Sequence, residues 1–147
     1  MAMKSIFTIH TDGGSRGNPG SAAIGVVIEG ETIGKKEYGE SIGIATNNEA
    51  EYKAVILALK KLKHLIGSEK ANDSRVEIHV DSELLERQLN GEYKVKDKNI
   101  QGLFLEVWNL KTDFGEVVFK HIFREKNIEA DRIANQILDK ETNKLAL

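Results

Sequence analysis

Apolar residues along this chain follow two spacings, one typical of strands and one typical of helices. Three short runs rich in β-branched residues come first, and two more strand-like runs lie among segments in which apolar residues recur every three or four positions. We predict strands at residues 6–11, 22–29, 32–40, 75–80 and 117–123. We predict helices at residues 46–65, 82–90, 97–112 and 128–140, with a polar loop at residues 67–74.

This order of elements predicts an α/β fold. Three successive strands with short links indicate an antiparallel meander, whereas the last two strands are each followed by helical segments. We therefore expect a mixed five-stranded sheet, three antiparallel strands and then two parallel ones, flanked by helices. A chain of 147 residues has the length of one ordinary domain, so we expect a single domain over residues 1–147.

Composition narrows the class of protein. The chain is 40% hydrophobic and 30% charged and contains no cysteine, which excludes disulfides and thiolate metal sites. We find no run of about 20 apolar residues and no signal peptide, so we expect a cytoplasmic monomer with no membrane contact. The net charge of −2 argues against nucleic-acid binding, unless several acids face bound cations.

Asp12 is the first candidate for chemistry. It follows the strand predicted at residues 6–11 and opens a glycine-rich stretch that also contains Pro19. We expect the strand to stop at Gly13, which would place Asp12 at its carboxyl end, where ligand sites of α/β sheets lie. The alternative is a plain turn, because Asp-Gly is a common turn dipeptide.

Glu51 is the most informative acid, because the helical period places it on an apolar face. At about 100° per residue, Ala54 and Leu62 project to the same side as Glu51, whereas Lys53 projects to the other side. Glu49 projects away from the sheet and is expected to be a surface acid. A carboxylate on the apolar face needs a partner or a cation, although the helix start could also favour an acid there.

Asp81 and Asp131 complete the set of candidate acids. Asp81 ends the fourth predicted strand, where it could serve either as a ligand or as a helix cap. Asp131 lies near the start of the last helix with Ala134 and Leu138 on the same side, and there it could be an ordinary first-turn acid.

Four carboxylates gathered at one rim of the sheet would repel one another unless cations neutralised them. Ligation by oxygen alone, without cysteine, selects hard ions. We therefore expect Mg²⁺, with Mn²⁺ as a substitute, and not Zn²⁺.

Several motifs in one order resemble those of type-one ribonucleases H. They are TDGGSRGNPG at residues 11–20, TNN at residues 46–48 with Glu51 three positions on, DS at residues 81–82, and NIEAD at residues 127–131. The resemblance covers nearly the whole chain. It implies an endonuclease that hydrolyses the RNA strand of RNA/DNA hybrids with two Mg²⁺ ions and leaves 5′-phosphate and 3′-hydroxyl ends.

The resemblance also implies a role for each matching residue. Asp12 would bridge the two ions, Glu51 and Asp81 would complete one site, and Asp131 would complete the other. Residues that would contact the sugars of the hybrid are Gly13, Asn18, Asn47 and Asn48. Residues that would hold a phosphate of the DNA strand are Thr46 and Asn99.

The chain departs from many relatives at positions that, by the resemblance, assist turnover or contact the duplex. Its short segment at residues 124–127 lacks their mobile histidine, and Ile44 and Glu83 stand where relatives often have an arginine and a glutamine. A basic insertion is also absent after residue 89. This pattern resembles the compact archaeal-type subgroup and predicts weaker hybrid affinity and a preference for Mn²⁺.

Two other functions remain open from the residues alone. A transposase, integrase or junction resolvase could use the same fold on another nucleic acid, since fold does not choose substrate. A non-catalytic nucleic-acid-binding module is the second alternative. The four acids argue against that module, because negative charge facing phosphate weakens binding.

Overall fold

A computed structural model describes residues 4–146 of the chain, with side chains through residue 143. The strands are β1 (Ser5–Gly17), β2 (Gly20–Gly30), β3 (Gly34–Ala45), β4 (Ser74–Val80) and β5 (Glu116–His121). The α-helices are α1 (Asn47–Asn72), α2 (Glu83–Leu89), α3 (Lys98–Lys111) and α4 (Ile128–Ala146), and a 3₁₀ turn at Arg124–Lys126 precedes α4. No helix in this range is long and apolar enough to cross a membrane.

The strands form one mixed sheet in the order β3-β2-β1-β4-β5. Neighbouring strands are antiparallel from β1 to β3, whereas β1 and β4, and β4 and β5, are parallel. The predicted α/β fold, with three antiparallel strands followed by two parallel ones, is confirmed. The parallel pairing of β1 with β4 ends at His10 and His79, two positions before Asp12 and Asp81. Both aspartates therefore lie at the same edge of the sheet.

Helices cover both faces of the sheet, because successive side chains of a strand point to opposite faces. On β2, Val26 and Ile28 join the main buried cluster together with α1, whereas Val27 packs against α4. The main cluster also contains apolar residues of β4, α2, α3 and β5. The larger part of the core therefore lies on the α1 face, and α4 covers the other face.

The first strand is longer than predicted. We expected it to stop at Gly13, but β1 continues through the glycine-rich stretch to Gly17 and stays paired with β2 as far as Gly20. The prediction was wrong because pairing with β2 outweighs the low strand preference of glycine in this stretch. Here the neighbouring strand supplies the hydrogen bonds that hold the backbone extended.

The first helix also extends beyond its predicted end. The polar loop expected at residues 67–74 is mostly helical, since α1 runs to Asn72 and only Gly67 departs, with φ of 81° and ψ of 162°. Gly67 allows this positive φ without strain, so the chain kinks and resumes the helix. Ala71 is buried in the main cluster, and this packing explains why the second segment is helical despite its polar sequence.

Other differences concern the ends of elements and one aromatic side chain. β3 starts and ends later than predicted, β5 ends before Phe123, and α4 extends past residue 140. Trp108 of α3 is 46% exposed and stacks on Phe104.

Candidate active site

Asp12 lies in the interior of β1, directly opposite Gly25 of β2. Residues directly opposite in an antiparallel pair share one face of the sheet, so Asp12 belongs to the face that α4 covers. It is 7% exposed. The alternative of a plain Asp-Gly turn is excluded by this position within a paired strand.

Gly13 lets α1 approach the sheet beside Asp12. A Cβ atom at Gly13 would overlap the backbone of Ala50 and crowd the backbone nitrogen of Glu51. Because a side chain is absent there, the first turn of α1 rests directly on β1. Glu51 is thereby brought to the sheet edge from the α1 face, and it is 7% exposed.

The helical-face argument separates the two acids of α1 as predicted. Glu51 is buried at the sheet, whereas Glu49 lies away from it and is partly buried. Glu49 has a local task, because its Oε1 accepts from the backbone N–H of Thr46 at 3.1 Å while the Thr46 hydroxyl accepts from the N–H of Glu49 at 3.1 Å. This reciprocal pair is a capping box that fixes where α1 begins.

Asp81 follows β4 and does not cap the next helix. The cap of α2 is Ser82, whose hydroxyl accepts from the backbone N–H of Leu85 at 3.2 Å. Asp81 Oδ2 instead accepts from Nδ2 of Asn127 at 3.1 Å. The alternative of Asp81 as a helix cap is therefore excluded, and its carboxylate is turned towards β1 and α4.

Asp131 is carried to the same edge by the close packing of α4 against β2. A Cβ atom at Gly25 would overlap the carbonyl oxygen of Ala130, so this glycine allows the helix to lie directly on the strand. Asp131 is half-buried and follows Ala130, which is fully buried. The two closest helix contacts in this region, at Gly13 and at Gly25, thus flank Asp12 from the two faces of the sheet.

Oxygen atoms of three carboxylates, those of Asp12, Glu51 and Asp81, lie within 4.8 Å of one another. They line a cleft of about 560 Å³ that Asp131 also lines. The structure thus brings all four predicted acids to one cleft, with three of them in a tight group and Asp131 beside it.

The electrostatics of the cleft favour uptake of positive charge. Burial, the nearby carboxylate of Asp81 and the contact with Asp131 raise the pKa of Asp12 to about 8. Burial and the charges of Asp12 and Asp81 raise the pKa of Glu51 well above its usual value. Glu51 Oε2 is buried and has no hydrogen-bond partner among the described residues. Bound cations would supply the positive charge that balances these carboxylates and a partner for the unpaired oxygen.

The predicted substrate residues divide into two groups. Gly13, Asn47 and Asn48 line the cleft, whereas the other three stand outside its lining. Those three lie at or contact the starts of helices. Asn18 Oδ1 accepts from the N–H of Asn47 at 2.9 Å, Thr46 caps α1, and Asn99 lies in the first turn of α3.

Sequence reasoning missed two residues of this region. Arg124 lines the cleft from the 3₁₀ turn before α4, within the segment where we noted only that a histidine is absent. Asn127 is 1% exposed and contacts Asp81. Neither residue belongs to an apolar period, so a pattern of hydrophobic positions could not indicate them. Asn127 lies within the motif at residues 127–131, but its hydrogen-bond partners are far away in the sequence and could not be predicted from that motif.

Comparison with known proteins identifies the family. A family model described as reverse transcriptase-like matches residues 10–137. The solved structure of LC11-RNase H1, a protein isolated from compost, in complex with an RNA/DNA hybrid superposes with a TM-score of 0.85 at 43% identity. That match covers 92% of this chain and 99% of the solved one. The chain belongs to the ribonuclease H family.

Two relatives of this ribonuclease H chain are longer proteins. The ribonuclease HI of Halobacterium salinarum is 39% identical over 88% of this chain and 63% of its own length. The bifunctional protein Rv2228c of Mycobacterium tuberculosis is 36% identical over 89% of this chain and 35% of its own length. The chain thus spans less than two thirds of either relative.

Proposed function

We propose that this chain is a ribonuclease H that hydrolyses the RNA strand of RNA/DNA hybrids with divalent cations. The observation that carries the proposal is the group of carboxylate oxygens of Asp12, Glu51 and Asp81, within 4.8 Å of one another in an open cleft. Membership of the ribonuclease H family and similarity to an enzyme solved with a hybrid support the choice of substrate. The products carry 5′-phosphate and 3′-hydroxyl ends.

The donor set fits hard divalent cations. All of its donors are carboxylate oxygens, which hard cations prefer, and one of them, a buried oxygen of Glu51, has no hydrogen-bond partner among the described residues. The negative charge of the clustered carboxylates needs a cation to neutralise it. We assign Mg²⁺ as the metal, with Mn²⁺ as a substitute. When bound, two such ions activate a water molecule and stabilise the charge that develops on the phosphate.

The four carboxylates have different tasks in this proposal. Asp12 is central, because its carboxyl group interacts with those of Glu51, Asp81 and Asp131. Glu51 and Asp81 complete one cation site, and Asp131 completes the second. Because the pKa values of Asp12 and Glu51 are raised in the absence of metal, cation binding releases protons from the cleft.

Recognition of the RNA strand is assigned to the wall of the cleft formed by Gly13, Asn47 and Asn48. Asn47 Oδ1 already accepts from the N–H and the hydroxyl of Ser15, at 2.9 and 3.1 Å, so its NH₂ group is the end that can donate to substrate. The 2′-hydroxyl can accept such a bond, and DNA lacks this group. Asn18 holds the start of α1 in place, and Thr46 and Asn99 are assigned to the DNA strand.

The deciding experiment is cleavage by Asp12→Asn. The amide has nearly the same shape but is a poorer cation ligand, so hybrid cleavage should fall on the order of a thousandfold, equivalent to several kcal/mol of lost charge stabilisation. The assay uses labelled hybrid, duplex DNA and duplex RNA with MgCl₂ or MnCl₂. Circular dichroism checks that the variant is folded.

Two outcomes would contradict the proposal. Cleavage of another duplex with the hybrid left intact would assign the chain to a different nuclease of this fold. Unchanged cleavage by Asp12→Asn would show that the carboxylate cluster is not the active site. Four properties stay predictions: a cytoplasmic location, a monomeric state, weak hybrid affinity and a preference for Mn²⁺. Ultracentrifugation can check the monomeric state. Metal titration can check the preference for Mn²⁺.

A further inference from the structure

Asn127 connects the elements that carry the carboxylate cluster. It lies between the 3₁₀ turn and α4, and its side-chain nitrogen donates to the carbonyl oxygen of Thr11 at 2.8 Å and to Oδ2 of Asp81 at 3.1 Å. Its own carbonyl oxygen accepts from the backbone N–H of Asp131 at 3.1 Å. One residue therefore bonds the backbone next to Asp12, the carboxylate that follows β4 and the first turn of α4.

The two ends of this side chain are used differently. The NH₂ group has two hydrogens and two partners, whereas Asn127 Oδ1 is buried and has no hydrogen-bond partner among the described residues. A buried amide with an unpaired oxygen costs free energy, and at this position, which is 1% exposed, the two bonds of the NH₂ group offset that cost. The donor end is the part that the fold uses.

Asp81 needs an anchor to stay in the cluster. It follows the last residue of β4 and is only partly buried, and the α2 cap is the hydroxyl of Ser82. Repulsion from the carboxylates of Asp12 and Glu51 favours rotation of Asp81 towards solvent. The bond from Asn127 holds one carboxylate oxygen and leaves the other for a ligand.

We propose that Asn127 is a positioning residue, which orients Asp81 for cation binding and holds β1 and α4 together beside it. This inference rests on the proposed function, since it takes Asp81 as a cation ligand. Asn127 is 1% exposed and does not line the cleft, so it acts only through Asp81 and the backbone of residue 11. Its loss should therefore weaken cation binding and lower kcat, with KM for the hybrid unchanged.

The test measures MnCl₂ binding by calorimetry in the absence of hybrid. Asn127→Ala removes the donor, and we expect its affinity for Mn²⁺ to fall about 10- to 100-fold, the usual effect of removing a group that orients a metal ligand. The matched control is Asn90→Ala. Asn90 also donates from a helix end to a strand carbonyl, that of Phe119 at 3.2 Å, but its second acceptor is Glu86 Oε1 and not one of the four acids of the cleft. This variant should bind Mn²⁺ like the unmodified chain.

A second measurement needs no variant and remains informative if Asn127→Ala does not fold. The side-chain amide hydrogens of Asn127 should exchange slowly with water and shift in nuclear magnetic resonance spectra as MgCl₂ is added, whereas those of Asn90 should not shift. Fast exchange and no shift at Asn127 would overturn the inference, as would equal Mn²⁺ affinity in a folded Asn127→Ala. Absence of Mn²⁺ binding and hybrid cleavage in the unmodified chain would instead overturn the proposed function.

Discussion

Glu51 and Asp131 approach Asp12 from opposite faces of the sheet, and the two faces are built differently. The Glu51 side belongs to the main core, where α1 contributes fully buried residues such as Tyr52, Val55 and Leu59. The Asp131 side rests on the small buried cluster of Val27, Ala130 and Ile133.

Exposed ion pairs also hold α4 to the sheet, among them Lys35 with Glu129 and Arg16 with Asp139, the latter at 2.6 Å. Such pairs contribute little stability, typically about 0 to 1 kcal/mol each. The difference teaches that the Glu51 half of the candidate cation site belongs to the large core, whereas the Asp131 half rests on a smaller buried cluster, on the close approach at Gly25 and on surface ion pairs. We expect Glu51 to define the tighter cation site and Asp131 the weaker one.

The largest expected effect separates the two acids of α1. Glu51→Gln removes a buried carboxylate from the tight group, so hybrid cleavage should fall on the order of a thousandfold, by the loss of several kcal/mol of cation stabilisation. Glu49→Gln is the matched control, because glutamine can also complete the capping box. Steady-state cleavage rates test the pair. Equal losses would show that the helical face does not decide which acid matters.

Asp131→Asn should cause a smaller loss that added metal partly restores. An amide keeps one oxygen at the edge of the cleft, and Asp131 stands outside the tight group of three carboxylates, so we expect activity to fall only about 10- to 100-fold. Raising the MnCl₂ concentration should recover part of this loss but not that of Glu51→Gln. A metal titration of both variants measures the contrast. Identical titration curves would mean that the two cation sites do not differ in strength.

Gly25→Ala tests whether the close packing of α4 sets the position of Asp131. The added methyl group would overlap the carbonyl oxygen of Ala130, and such overpacking typically costs about 1 to 3 kcal/mol of stability. Gly102→Ala in α3 is the control, since its methyl group meets no neighbour and alanine favours a helix by up to about 1 kcal/mol. Urea denaturation should show opposite signs for the two variants. An unchanged free energy of unfolding in Gly25→Ala would show that α4 can shift to make room for the methyl group.

The last expected effect concerns the stability of the metal-free chain and its dependence on pH. The pKa of Asp12 is raised to about 8 in the folded chain, so the folded state binds more protons than the unfolded state between about pH 4 and pH 8. The contribution of this group to stability is present below pH 4 and is lost as the pH rises towards 8. Asp12→Asn removes that dependence, and it should therefore be more stable than the unmodified chain at pH 8, with a smaller gap at pH 5.

Thermal unfolding with a chelator measures this gap, and adding MgCl₂ provides the internal control. Bound cations stabilise the ionised cluster, so MgCl₂ should raise the melting temperature of the unmodified chain more than that of Asp12→Asn. A gap that widens towards low pH would contradict the raised pKa.

The placement of the acids could be predicted to different degrees. The burial of Glu51 followed from its position on the apolar face of a helix, a relation between residues within about three turns of one another. The continuation of β1 through Gly13 could not be predicted, because a neighbouring strand holds that backbone extended. The arrival of Arg124 in the cleft depends on where a short turn leaves the sheet, and no local pattern encodes that direction.

The sequence by itself determined the order of strands and helices, the mixed sheet and the four acids, because hydrophobic periodicity acts between residues close in the chain. Only the tertiary structure decided which oxygens meet, from which face each acid arrives and what orients Asp81. Those relations depend on contacts between distant segments, such as the bond from Asn127 to the carbonyl of Thr11 across 116 positions. Helices can approach that closely only where packing permits, and here the missing side chains of Gly13 and Gly25 permit it.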